Sequence, residues 1–143
     1  MFKKAVMTLS LLVLQVWSEQ PGGHGATNFI TGAGAFLQNI IFGFGGFRLH
    51  AEYLCFEPSL PSGVQTLHFV DIDFLGSSFD FVVSAKETII TLRRQSASAP
   101  KLLVYIFEPE AVHSIDLNRS TKLRSGKGLL MPADSELPPN DSL

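Results

Sequence analysis

The chain has 143 residues, 45% of them hydrophobic, which suffices for one core of ordinary size and leaves no room for two complete domains. Its 11 basic and 13 acidic residues nearly cancel. Beyond Arg93-Arg94 and the loose group Arg119, Lys122, Arg124 and Lys127 there is no cationic cluster, which argues against a nucleic-acid partner.

The N-terminal segment allows two readings. Lys3-Lys4 precede the uncharged run Ala5–Trp17, the layout of a secretory signal, and Val16 and Ser18 suit a cleavage site. An apolar helix or strand buried in a larger body fits equally, and periodicity does not separate the two. The run is too short to cross a bilayer, so no transmembrane segment is expected.

Val16-Trp17-Ser18-Glu19 follows, with the glycine-rich stretch Pro21–Gly25 behind it. An aromatic beside a carboxylate at the mouth of a flexible loop is the equipment of a sugar site: a ring for the sugar face and an acid for proton transfer. On residue types alone, an exposed loop glutamate is the simpler account of Glu19.

Phe29, Ile30, Ala33, Phe36, Leu37, Ile40 and Ile41 then recur at helical spacing and make one wide apolar face. Thr27 or Asn28 suits the cap, and Gly43 with Gly45-Gly46 the stop. Gly32 and Gly34 cost about 1 kcal/mol each against Ala, which implies a close neighbour. A helix this apolar asks for a large partner surface, and the chain offers only a small β region.

From about Phe47 to Leu117 the pattern predicts short strands over Phe47–Leu49, Tyr53–Phe56, Leu67–Phe74, Ser78–Ser84, Thr88–Arg93, Leu102–Phe107 and Val112–Leu117. Alternation is clearest where Phe79, Phe81 and Val83 oppose Ser78, Asp80 and Val82. Leu75-Gly76-Ser77 and Ala85-Lys86-Glu87 read as tight connections, so an antiparallel sandwich is expected. Residues 118–143, rich in Pro, Ser, Asp, Asn and Lys, predict a disordered tail.

No self-contained catalytic constellation emerges. Gly43-Phe44-Gly45-Gly46 follows a helix instead of opening one, so it lacks the geometry for holding phosphate. His24, His50, His68 and His113 stand apart with no carboxylate or cysteine at ligand spacing, and a lone Cys55 reads as a buried small hydrophobe, excluding an intrachain disulfide. Neither metal nor cofactor is expected. Asp71 and Asp73 share one side of a strand, most simply a solvated face. The sequons Asn118-Arg119-Ser120 and Asn140-Asp141-Ser142 are usable only on a secreted chain.

The ordered run Val16-Trp17-Ser18-Glu19, Asn28-Phe29-Ile30-Thr31-Gly32-Ala33-Gly34-Ala35-Phe36-Leu37-Gln38, Ile41-Phe42-Gly43 and Gly46-Phe47-Arg48 resembles family 65 of the glycoside hydrolases, which includes acid trehalases and the collagen-type glucosidases. The similarity continues more loosely through Phe56-Glu57-Pro58-Ser59-Leu60-Pro61 and fades past Arg94. It implies an α+β fragment: 1–46 as the remnant of an (α/α)6 catalytic barrel, 47–117 as the small antiparallel β-sandwich that closes such enzymes, then the tail. By the same resemblance Glu19 stands where these hydrolases carry their general base, with Trp17 lining the sugar site. The general acid belongs to an upstream part of the barrel that this chain lacks.

A glycan is thus the implied substrate only of the complete enzyme, and the missing barrel the implied packing partner. Met-Phe-Lys-Lys is similar to an internal family segment, which favours a truncated cytoplasmic product. The signal-like residues 1–18 keep a secreted one open, and with it a β-sandwich binding module without catalysis. Thr8–Gln15 departs from the polar stretch that family members carry before Val-Trp.

Overall fold

The computed structural model describes residues 30–138, which fall into two compact units divided after Phe44. In the first, helix α1 (Ile30–Gln38) runs on into a π-helical segment, Asn39–Phe44. Gly43 therefore does not stop the helix. The stop comes at Gly45-Gly46, where Gly46 takes φ 64°, a left-handed conformation that only glycine adopts without strain. A Cβ there would also run into the backbone of Glu57. At Gly34 a Cβ would meet no atom of the described chain, so the close neighbour expected there is not found within it. The candidate caps Thr27 and Asn28 lie outside the described residues.

The second unit holds two antiparallel sheets. One has five strands in the order β1 (Arg48–Leu49), β2 (Leu54–Phe56), β9 (Gly128–Pro132), β6 (Leu102–Phe107), β7 (Glu110–Ser114). The other runs β3 (Thr66–Phe74), β4 (Ser77–Ser84), β5 (Glu87–Gln95), β8 (Ser120–Arg124). Period-2 alternation sets the second sheet: Phe79, Phe81 and Val83 are buried and pair with Leu92, Ile90 and Thr88 on β5. Aromatic rings join the sheets. Phe81 on β4 meets Phe56 on β2 at 5.6 Å and Phe47 at 5.0 Å, and Phe47 meets Phe69 on β3 at 5.2 Å, all edge to face.

The five-stranded sheet is apolar on both faces. Leu54, Phe56, Val104, Ile106 and Leu130 are buried on one. Cys55, Tyr105, Leu129 and Met131 form a second cluster on the other, with Tyr53, Leu103 and Phe107 packed against it. Burial pushes the Cys55 thiol up from its ordinary value, Glu57 adds to this and Lys127 opposes it, which suits an inert core thiol.

The expected tail needs correcting, since residues 118–143 contain β8 and β9. Strand β8 alternates, with Leu123 inward and Lys122 paired to Glu87 at the surface. It is a half-polar edge strand, which composition alone mistakes for coil. Strand β9 lies between β2 and β6, with Leu129, Leu130 and Met131 buried. Strands covered on both sides read as unbroken apolar runs, so Gly128-Leu129-Leu130-Met131 carries no alternation to find. The strand expected over Val112–Leu117 ends at Ser114.

Among the described residues, Asn39, Ser77 and Thr88 each bury a side-chain polar atom without a hydrogen-bond partner. Thr88 is fully buried between Val83 and Leu123, and its Oγ1 has no hydrogen-bond partner. Burying an unpaired hydroxyl costs about 1–3 kcal/mol. Thr88→Val is therefore expected to raise the urea midpoint with an unchanged slope. A lowered midpoint would mean that the hydroxyl makes a bond.

Candidate functional site

Trp17 and Glu19 lie outside the described residues, as do Pro21–Gly25 and His24. The other candidates can be placed. His50 stacks on Tyr53 with ring centroids 4.2 Å apart, while His68 sits exposed on β3 and His113 half-buried on β7. They do not come together. Among the described residues no group of three or more His, Cys, Asp or Glu is arranged to hold a metal ion.

Asp71 and Asp73 do share a solvated face, where both approach Arg94, at 3.2 and 3.9 Å. A bulge in β3 accompanies them: the register with β4 shifts between Phe69 and Ile72, and Asp71 takes φ 55°. The bulge aims the Asp71 amide at Asp80 Oδ1, 3.1 Å away, while Arg93 Nε donates to Asp80 Oδ2 at 2.6 Å. Partial burial pushes the Asp80 carboxyl up, but Arg93 and the Asp71 amide together outweigh it and hold it below the usual carboxylate range. Every carboxylate here has an arginine partner. The cluster braces the outer face of the sheet and offers no unpaired acid for proton transfer.

One set of described residues converges on open space at an end of the β unit. The β6–β7 hairpin supplies Phe107 and Glu108, the end of β8 Arg124, the β8–β9 connection Ser125 and Lys127, and the segment after β2 Glu57, around a groove of about 710 Å³. The backbone beneath is tied down: Phe107 N donates to Lys127 O at 3.2 Å and Ser125 N to Lys86 O at 3.0 Å. Phe107 is held edge-on by Tyr105 at 5.0 Å, and Lys127 Nζ lies 5.2 Å from its ring centre. Sequence reading missed this groove because its lining comes from three distant turns, one of them in the supposed tail.

Two antiparallel sheets sealed by phenylalanines define a small β-sandwich domain. Residues 47–105 match the model of the glycosyl hydrolase family 65 C-terminal domain. Similar curated proteins bear the name protein-glucosylgalactosylhydroxylysine glucosidase. That of Danio rerio is 41% identical over 56% of this chain and 12% of its own length. That of Gallus gallus is 31% identical over 85% and 17%, and that of Dictyostelium discoideum 46% identical over 53% and 10%. The matched part thus spans between a tenth and a fifth of these relatives. No solved structure matches.

Proposed function

We propose that the chain is a C-terminal piece of an inverting glycoside hydrolase that removes glucose from an α-linked glucosyl disaccharide, such as the glucosylgalactosyl-hydroxylysine of collagen. The observation carrying this reading is the family 65 C-terminal domain at residues 47–105, joined to similarity with glucosidases of that name. In this reading residues 1–46 are the end of the catalytic barrel, with Glu19 as general base and Trp17 against the sugar. Exposed Leu37 on the helical unit suits a surface made to pack against barrel helices.

Inverting hydrolysis needs two carboxyl groups on opposite sides of the scissile bond, about 6.5–9.5 Å apart. Only one of the two has a family counterpart in this chain. The purified chain is therefore expected to release no glucose from glucosylgalactosyl-hydroxylysine, while the same chain continued upstream into a full barrel does. Turnover by the short chain, abolished by a substitution within it, would overturn the proposal.

The groove around Phe107 favours a second reading, a β-sandwich binding module without catalysis. Extending the reading frame upstream at the genomic locus separates the two. Continuous barrel-coding sequence supports the hydrolase, and a clean start supports the module.

A further inference from the structure

Strand β5 ends on a sequence that has no part in the proposed hydrolysis. Arg93-Arg94-Gln95-Ser96 puts two guanidinium groups three and two residues before a hydroxyl, and of all the serines and threonines in the chain only Ser96 has arginine at both positions. A kinase that selects such a serine reads charge: carboxylates in its substrate groove take the arginines in charge-assisted pairs and so seat the hydroxyl against the nucleotide. The fold leaves this segment open. Strand β8 pairs with β5 only over residues 87–91, so beyond Leu92 the ladder partner is β4 alone and one edge of β5 is free. We infer that Ser96 is a phosphorylation site for an arginine-directed serine kinase.

The local structure suits both recognition and transfer. The register between β4 and β5 shifts at Ser78, which makes Arg93 the extra residue of a bulge, and both arginines reach carboxylates of the solvated face, Asp80 at 2.6 Å and Asp71 at 3.2 Å. The pairs of Arg94 with Asp71 and Asp73 are exposed on both sides and hold little energy, so carboxylates of a kinase can replace them. Arg93, gripped by the less exposed Asp80, is the costlier of the two to release. Ser96, Ala97 and Ser98 are exposed, in a turn closed by Ala99 N donating to Ser96 O at 3.1 Å. The Ser96 hydroxyl meets only Ser98 Oγ, at 3.4 Å, so little holds it or the turn against local opening. In the transfer, Ser96 Oγ bonds to the γ-phosphorus of ATP and the bond from that phosphorus to the β,γ-bridging oxygen breaks. ADP leaves, and the hydroxyl proton passes to the kinase's own carboxylate base. Trp17 and Glu19 play no part in this, and an unmodified Ser96 would leave the proposed hydrolase untouched.

Incubating the full 143-residue chain with ATP and the purified catalytic subunit of an arginine-directed serine kinase tests the site, with an acidophilic serine kinase as comparator. Tandem mass spectrometry is expected to place a phosphoryl group on Ser96 with the first enzyme and not with the second. Ser96→Ala should abolish that incorporation and Ser98→Ala should leave it unchanged. Arg94→Gln should lower kcat/KM for it by about tenfold or more, through loss of a charge-assisted pair with the kinase. All three substitutions fall at exposed positions, and circular dichroism checks that the strands persist. If Arg94→Gln does not fold, the two serine variants decide. No phosphate on Ser96 of the folded chain, equal labelling by the acidophilic kinase, incorporation that survives Ser96→Ala, or a rate indifferent to Arg94 would each overturn the site.

Discussion

If Glu19 is the general base of the hydrolase proposed above, replacing it with Gln in a chain that carries the full barrel is expected to lower kcat by about 10²–10⁴-fold or more, with KM and melting temperature little changed. The amide keeps the size and polarity of the carboxylate but accepts no proton from water, so binding survives while activation of the nucleophile does not. A base in an inverting enzyme must be ionised at working pH, which requires hydrogen bonds to the carboxylate and not mere burial. If Glu19 only braced the loop, the variant would melt earlier yet keep its turnover per folded molecule. Measuring kcat and melting temperature on the one variant distinguishes these outcomes, and near-normal kcat would remove Glu19 from catalysis.

What could be read from the sequence follows the way each strand is covered. Strands β3, β4 and β5 lie in a sheet with one solvated face, so their alternation was visible, and the expected Leu67–Phe74, Ser78–Ser84 and Thr88–Arg93 lie within the observed strands. The bulge at Asp71 was invisible, because one extra residue shifts the register without altering composition. Strands β8 and β9 were lost for opposite reasons. The first is polar at alternate positions and sits at a sheet edge; the second is apolar throughout because both faces of its sheet are covered. Neither resembles the half-buried strand that period-2 patterning detects.

The candidate site divides in the same manner. Trp17 and Glu19 could be singled out because motif residues stand side by side in the chain. The groove around Phe107 draws on Glu57, Glu108 and Arg124, far apart in sequence; the pairing of β2, β9 and β6 gathers the first two, and β8, in the other sheet, brings Arg124 to the same end. Single-sequence reasoning supplies local motifs well. It cannot place residues beside one another across strands whose existence it has missed.

The phenylalanine seal between the sheets leads to the second large effect. Phe81 is 1% exposed and meets rings from two other segments, Phe47 at 5.0 Å and Phe56 at 5.6 Å, one of them in the opposite sheet. Removing it would both forfeit the transfer energy of a buried ring and leave a cavity that neighbours held in strands cannot collapse to fill. Phe81→Ala is therefore expected to destabilise the chain by about 3–5 kcal/mol, a large share of the about 5–15 kcal/mol that domains of this kind possess. Phe81→Leu, which keeps most of the volume, should cost much less. Urea unfolding followed by circular dichroism reads both, with the midpoint of the Ala variant falling far below that of the Leu variant. Equal midpoints would mean that the rings do not hold the two sheets together and that the stability of the β unit resides within each sheet separately.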